Sequence, residues 1–498
     1  MAMIPMGDLP AYHMRRLGGE RWCLRHGDAV LTWAELDQRS TRRASALKSL
    51  GVGRNDIVVL GLPNGNELFE WTFAIWKLGA TPSMVSWRLP LHEFRAILQI
   101  ARPKAVVASD LGLISALGAL PASFGIVEGH DAPIVSQVGD HWKAMTSGGS
   151  TGRPKVIIDH MASAVDPDAT VMAMPKDKVM LNPGPCYHNA PFASCHIALF
   201  SGNAVVGMPR FDAEEALRLI DQYRVAWVTL VPTMMNRIWQ LPEETRTRFD
   251  ISSLDRVWHM AAPMPAWLKD HWIQWIGPER LWELYGGTER QGLTVISGVE
   301  WLAHRGSVGK PVGCEVRILT ELGEAARPGE VGEIFLRPNA GAGSTYHYLG
   351  ADSKSTNDGF ESIGDFGWLD DDGYLYISDR RTDLILSGGA NIYPAEVENA
   401  LMEHPGVEVA VVIGLPDDDM GALAHAIVKR NERAASPVTE AELTGFLSER
   451  LVRYKIPRSM EFTADQLRDD AGKVRRSQLR QERVDAKQSR ILSLSTQD

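Results

Sequence analysis

The chain has 498 residues, 44% of them hydrophobic and 23% charged, with Lys+Arg 52 against Asp+Glu 62 and a net charge of −10. That is ordinary globular usage, which excludes disordered, collagen-like and coiled-coil classes, and its mildly acidic balance offers no electrostatic footprint for nucleic acid or anionic lipid. The length predicts a large domain with at least one smaller unit beside it.

The first sixteen residues carry Asp8 and two prolines rather than an apolar core of signal length, and no run is long and apolar enough to span a bilayer. Cys23, Cys186, Cys195 and Cys314 are too scattered for a disulfide framework and form no Cys-x-x-Cys pair. A cytoplasmic protein with no membrane span is expected.

Further along, residues 57–60 read as a buried strand feeding a helix over 67–78, with Phe69, Phe73 and Trp76 on one face. The pattern recurs. Ala213, Ala216, Leu217 and Ile220 form a helical stripe, 226–231 a β-rich run, and 256–260 and 281–284 short apolar strands. Such alternation predicts an α/β fold of parallel-rich sheets packed with helices.

After about Phe366 the texture changes. Asp370-Asp371-Asp372-Gly373 predicts a hairpin turn between Trp368-Leu369 and 374–377, followed by a charged connector over 379–383. Beyond it come Leu384-Ile385-Leu386, a glycine loop at Gly388-Gly389, a helix opened by Pro394, a strand over 409–413 and a helix with the capping box Thr439-x-x-Glu442. A small separate α+β domain is therefore expected over 382–498, after a large domain over 1–381.

Four segments carry candidate chemistry. The stretch Thr146-Ser147-Gly148-Gly149-Ser150-Thr151-Gly152-Arg153-Pro154-Lys155 offers backbone N–H groups, hydroxyls and an ammonium suited to wrapping a polyphosphate. It is not a P-loop, since Val156 follows Lys155 where a hydroxyl would bind Mg2+. It also satisfies Gly-x-Ser-x-Gly, the nucleophile elbow of serine hydrolases, and a plain surface loop is the third reading.

In Tyr285-Gly286-Gly287-Thr288-Glu289 the tyrosine can stack on a base, while the carboxylate beside a hydroxyl can hold Mg2+ against phosphate. Asp365, after Gly364, can accept both hydroxyls of a ribose, and Arg380 suits hydroxyl or phosphate oxygens. The fourth is Gly472-Lys473 in a basic cluster near the C-terminus. Each alone reads equally as a turn or a solvated tail.

In this order and spacing the four segments resemble the adenylate-forming superfamily of acyl-CoA synthetases, aryl-CoA ligases, firefly luciferase and peptide-synthetase adenylation domains. The resemblance implies an AMP-forming acid-CoA ligase that uses ATP, Mg2+ and coenzyme A. It places 147–155 on the ATP phosphates, Tyr285 against adenine with Ala262 and Pro263 on a strand lining the adenine and acyl pockets, and Asp365 and Arg380 on the ribose. Thr288 would touch the α-phosphate, Glu289 the Mg2+, and Lys473 the carboxylate and α-phosphate. His188 resembles the aromatic-or-histidine position beside the acyl group, and Gly388-Gly389 the loop bordering the pantetheine tunnel. The departures are Gly148 for a hydroxyl, Val156 for glycine, Thr382 at the hinge, and no proline before Gly472-Lys473.

Expected partners are a small-molecule carboxylic acid and CoA, with a homodimer as an open oligomeric state. The chain ends soon after Lys473 without a carrier domain, which favours free CoA over a tethered carrier. Residues 192–200 and 258–263 lack an acidic partner for an α-amino group, which disfavours amino acids. Residues 187–192 resemble ligases for bulky hydrophobic acids, fatty or steroidal, while Asn189 resembles hydroxybenzoate activators. His259 reads equally as an acyl-pocket or a buried structural histidine, and Cys186, His188, Cys195 and His196 lack zinc spacing. A carrier-loading adenylase, a serine hydrolase using Ser150 and an inactive nucleotide-binding module stand as alternatives.

Overall fold

The computed structural model describes residues 3–126, 133–148, 154–380, 383–387, 390–417, 419–434, 436–469 and 472–495. Gly149, Ser150, Thr151, Gly152, Thr382, Gly388 and Gly389 lie outside the described residues, as do the side chains of Ser147 and Arg380.

Two sheets organise the larger domain. In the first, Leu281–Gly286, Arg256–Met260, Trp227–Leu230, Val179–Asn182, Ala204–Gly207 and Trp22–His26 run parallel, each beside the next. In the second, Thr81–Met84, Ile57–Gly61 and Ala105–Ala108 run parallel, Ala144–Gly148 joins the edge in parallel, and Pro154–Asp159 then turns back antiparallel. One hydrophobic core between the sheets takes side chains from both and from helices Asn66–Lys77 and Asn189–Phe200. Helices Ala213–Tyr223, Pro232–Trp239 and Ala266–Ile276 cover the outer face of the first sheet, and Leu91–Ala101 with Leu111–Leu117 that of the second. These layers are the α/β arrangement that the alternation of apolar runs predicts.

The single apolar face expected over 67–78 understates the burial, because every residue of Asn66–Lys77 except the exposed Glu67 is buried between the two sheets. Its charges survive there by pairing: Glu70 receives Arg43 at 2.7 Å, and Lys77 reaches Asp37 at 2.7 Å.

The sequence pattern did not disclose the antiparallel part that follows Gly286. Leu293–Ser297, Ser307–Val312, Leu375–Arg380, Asp365–Leu369 and Gly332–Pro338 extend the first sheet, each antiparallel to its neighbour. The predicted hairpin is present, its turn tied by Asp370 Oδ1 accepting from the Asp372 and Tyr374 amides at 3.0 and 2.8 Å. The expected connector over 379–383 begins later than predicted. Asp379 and Arg380 still belong to a strand, paired with Phe366 and Asp365, because the ladder continues past the turn-proximal residues.

Beyond it, Val407–Asp417 and Gly421–Arg430 pair as a long hairpin, and Gly421–Arg430 is joined by Ile385–Ser387 in antiparallel and by Ser459–Thr463 in parallel. Helices Pro394–Met402 and Glu440–Ser448 cover this sheet around their own core. The Thr439–Glu442 capping box forms as expected. No helix among the described residues is long and apolar enough to cross a membrane.

Candidate active site

The parallel strands Trp227–Leu230, Arg256–Met260 and Leu281–Gly286 end at one edge, and crevices beyond the carboxyl ends of such strands are where α/β sheets bind ligands. Tyr285 and Gly286 are the last residues of their strand rather than a turn after it. A Cβ on Gly286 would lie 3.1 Å from the Gly292 carbonyl oxygen, so glycine lets the returning chain pass close without displacing it. The tight turn that follows closes with the Arg290 amide on the Gly287 carbonyl at 3.2 Å, which sets Thr288 and Glu289 at its tip.

Glu289 is 7% exposed, and its Oε1 receives Lys155 Nζ at 3.2 Å and the Tyr348 hydroxyl at 2.6 Å. Lys155 Nζ also stands 3.9 Å from the centre of the Tyr348 ring. Burial, then the Glu289 charge, raises the Tyr348 hydroxyl above its usual range, so it stays a donor. The turn is anchored from behind by Arg290, whose guanidinium donates to Asp159 at 2.9 Å, where buried Lys143 pairs with the same carboxylate at 2.9 Å. Burial lowers the Lys143 ammonium; Asp159, which burial alone would raise, is held below its usual value by Lys143 and Arg290.

The Tyr285 hydroxyl donates to Asp365 Oδ2 at 2.8 Å, and the Asp365 backbone pairs with that of Arg380. Aromatic ring, carboxylate and the backbone of the arginine thus lie together. The Ser147 backbone pairs with that of Lys155, so 149–153 links two antiparallel strands. A nucleophile elbow requires a helix directly after the serine. Here the next described element is the strand Pro154–Asp159, which argues against the hydrolase reading of Ser150.

Ala262 and Pro263 do not lie on a strand. The strand ends at Met260, because Ala261 adopts φ +75° and swings the chain into a loop at the same edge. His188 directly precedes helix Asn189–Phe200. Cys186 and Cys195 are buried, Cys186 Sγ accepting from Asn182, as core thiols do. His259 is fully buried against Lys269 and Glu283 on the face of its strand opposite Trp258, the structural of its two readings.

Gly472, with φ +76°, brings the last candidate in: a Cβ there would stand 3.4 Å from Thr233 Oγ1 and 3.7 Å from Val231, just beyond the strand Trp227–Leu230. Lys473, which is exposed, follows directly, its amide held by Asp469 Oδ1 at 2.9 Å. Tyr348, Arg290, Asp159 and Lys143 went unread in the sequence. A tyrosine on a two-residue alternation and an arginine after a glutamate carry no signal until the fold brings them together.

The carboxylate of Glu289, a hard oxygen donor framed by an ammonium and a hydroxyl, fits a magnesium ion held chiefly by phosphate oxygens and water. Such a site describes a nucleotide-binding enzyme. The sequence profile of the AMP-binding enzyme family matches residues 12–347, and that of the AMP-binding enzyme C-terminal domain matches 396–473. The chain belongs to the AMP-binding enzyme family. It is 32% identical to a feruloyl-CoA synthase of an Amycolatopsis species, over 93% of this chain and 96% of that one. It is 30% identical to the long-chain-fatty-acid–CoA ligase FadD13 of Mycobacterium tuberculosis, over 91% and 93%. Among solved structures, o-succinylbenzoate CoA synthetase of Bacillus subtilis with its acyl-adenylate intermediate superposes with a TM-score of 0.80 at 26% identity, covering 96% of this chain and 98% of that one. The same enzyme has also been solved with ATP and magnesium ion.

Proposed function

We propose that the chain is an ATP-dependent acid–CoA ligase that converts a carboxylic acid and ATP to acyl-AMP and pyrophosphate, and then acyl-AMP and CoA to acyl-CoA and AMP. The observation that carries this reading is convergence. Lys155 meets Glu289, Tyr285 meets Asp365, and Gly472-Lys473 seats at the same strand edge, from four distant parts of the chain. The named relatives that are CoA ligases support it.

A carboxylate is a weak nucleophile facing a polyanion, so catalysis here is positioning and charge stabilisation, with no side-chain nucleophile. Tyr285 stacks on adenine; Asp365 and Arg380 take the ribose hydroxyls. Residues 147–155, ending in Lys155, wrap the phosphates, Thr288 touches the α-phosphate, and Lys473 bridges it to the attacking carboxylate. Glu289 is the magnesium ligand, and the bound ion would neutralise charge on the departing pyrophosphate. Ala262, Pro263 and His188 border the acyl group.

Thiol attack on the acyl-adenylate needs Lys473 withdrawn and the 382–498 domain turned about Thr382, so that Gly388-Gly389 borders the CoA tunnel. Among the described residues the hydrogen bonds to break include long ones: Asn236 and Gln240 donate to the Glu408 and Val407 carbonyls at 3.3 Å each, and Arg237 lies 3.6 Å from Glu408. A chain locked in this orientation should adenylate but form no thioester.

The acid is proposed to be an aryl acid, as in the feruloyl and succinylbenzoate relatives, because tryptophans pack the space between the sheet and helix Asn189–Phe200. The test is AMP and pyrophosphate release from purified protein with Mg-ATP, CoA and a panel of aryl, aliphatic and steroidal acids, beside Lys473→Ala. Acid- and CoA-dependent AMP formation supports the ligase. Pyrophosphate exchange indifferent to CoA points to a carrier-loading adenylase, and silence on every acid leaves a nucleotide-binding module.

A further inference from the structure

The face of the first sheet that looks onto helix Asn189–Phe200 can be read in rows, because the three parallel strands are in register. Nearest the catalytic edge stands Gly286, next comes Met260 beside Leu284, and deeper still Trp258, flanked by Thr229 on one neighbouring strand and Trp282 on the other. Trp258, Met260, Leu284 and Trp282 pack into the same core as Phe192 of the helix, which fixes the face they share. From Gly286 back to the Trp282 row is four residues, about 13 Å at the usual strand rise. That depth suits one aromatic ring with a short spacer.

The wall at that depth is rigid. Trp258 and Trp282 lie with ring centres 5.5 Å apart, and the Trp282 N–H is tied to the Glu279 carbonyl at 3.0 Å. It also carries two buried polar groups that the protein does not use. Trp258 is 3% exposed and Thr229 8%, and neither the indole nitrogen of Trp258 nor the hydroxyl of Thr229 has a hydrogen-bond partner among the described residues. Trp71, Trp76 and Trp272 each donate to a main-chain carbonyl, whereas the buried indole nitrogens of Trp142, Trp227 and Trp267, like that of Trp258, have no partner among the described residues. Trp227, whose N–H is also without a partner, lies two residues deeper on the Thr229 strand, behind this row. Buried donors are normally paired, so two adjacent idle ones at the end of a site mark a place for a ligand acceptor.

We propose that Trp258 closes the far end of the acyl site and that, with Thr229, it receives an oxygen carried on the ring of a compact aryl acid, such as a phenol or methoxy group. The indole can only donate, so the recognised group is an acceptor; an unsubstituted ring leaves both donors idle, and a long alkyl chain collides with the indole wall. This rests on the ligase reading, and it makes Trp258 and Thr229 residues that set which acid is taken.

The test compares cinnamate with 4-hydroxycinnamate and benzoate with 4-hydroxybenzoate, together with saturated acids from hexanoate to palmitate. Wild type should favour the hydroxylated member by about 30-fold or more in kcat/KM and leave palmitate unused. Trp258→Phe, which keeps the ring and removes the donor, and Thr229→Val should cut that preference severalfold while turnover of the unsubstituted acid persists. Trp258→Ala should extend the range toward longer saturated acids. Equal use of both members by wild type, an undiminished preference in Trp258→Phe and Thr229→Val, or ready use of palmitate by wild type overturns the proposal. Binding of cinnamoyl and 4-hydroxycinnamoyl sulfamoyl-adenosine, followed by melting temperature, separates the two failures. Without turnover of any acid the ligase reading falls, yet a larger shift with the hydroxylated analogue, reduced in Trp258→Phe, still supports the pocket, whereas equal shifts refute it.

Discussion

Replacing Asp365 by asparagine probes the nucleotide half of the site with little change of volume. The carboxylate is 6% exposed, with one oxygen on the Tyr285 hydroxyl at 2.8 Å. Hydrogen bonds to a charged acceptor contribute about 1.5–3 kcal/mol each, against about 1 kcal/mol for neutral ones. An amide at this position keeps one acceptor and turns the other into a donor, which costs about 1.5–2 kcal/mol and raises KM for ATP at least ~10-fold. Asp365→Ala loses both acceptors and should cost about twice as much. Tyr285 supplies the internal control. Tyr285→Phe keeps the ring and loses one hydrogen bond, a change of about fivefold or less, whereas Tyr285→Ala loses a stacking platform worth about 1–3 kcal/mol. The assay is pyrophosphate exchange at saturating acid, with ATP compared against 2′-deoxy-ATP and 3′-deoxy-ATP. Wild type should discriminate against both deoxynucleotides, and Asp365→Asn should lose most of that discrimination. An Asp365→Asn enzyme within twofold of wild type in KM for ATP, and still discriminating, would refute the assignment of this carboxylate to the ribose.

Other expectations follow from the same geometry. Lys473→Ala should lower acid-dependent pyrophosphate exchange by about 10²-fold or more with a small change in KM for ATP, because its charge acts on the reacting centre. Ala261→Gly should raise the melting temperature by about 1 °C, since a residue with a Cβ at φ +75° carries about 1 kcal/mol of strain that glycine relieves; a lower melting temperature would show the strain is not there. His196, caged by Phe69, Phe73, Trp76, Phe192 and Phe200, is depressed by burial to about 3, and His13, chiefly by burial, to about 4. The unfolded chain takes up these protons near pH 6.5 while the folded one refuses them, so their contribution is complete above about 6.5 and falls as pH drops toward 4 and 3, by up to ~1.4 kcal/mol per pH unit for each group. Urea midpoints measured between about pH 7 and pH 5 should fall accordingly, and His196→Phe should flatten the slope by one group.

What the sequence disclosed divides along a physical line. Residues whose role depends on the local chain were legible. The Asp370 turn, the Thr439–Glu442 capping box and the buried strands 57–61 and 256–260 all form where apolar period and turn chemistry put them. Tyr285, Glu289, Asp365 and Lys473 were legible for another reason, since glycines and hydroxyls beside them mark places where backbone must approach a ligand. Residues whose role is made by contact at long range were silent. Tyr348 is an unremarkable strand tyrosine until the antiparallel edge lays it on Glu289, and Arg290 is one arginine among many until Asp159 takes it. The burial of 66–77 on all sides but that of Glu67 was equally hidden, because amphipathic spacing shows which face is most apolar and cannot show that a second sheet covers the other. Trp258 and Thr229 belong to this second group. In the sequence they are members of two apolar runs, and only the register of three strands puts their idle donors side by side at the depth where an acid's ring would end.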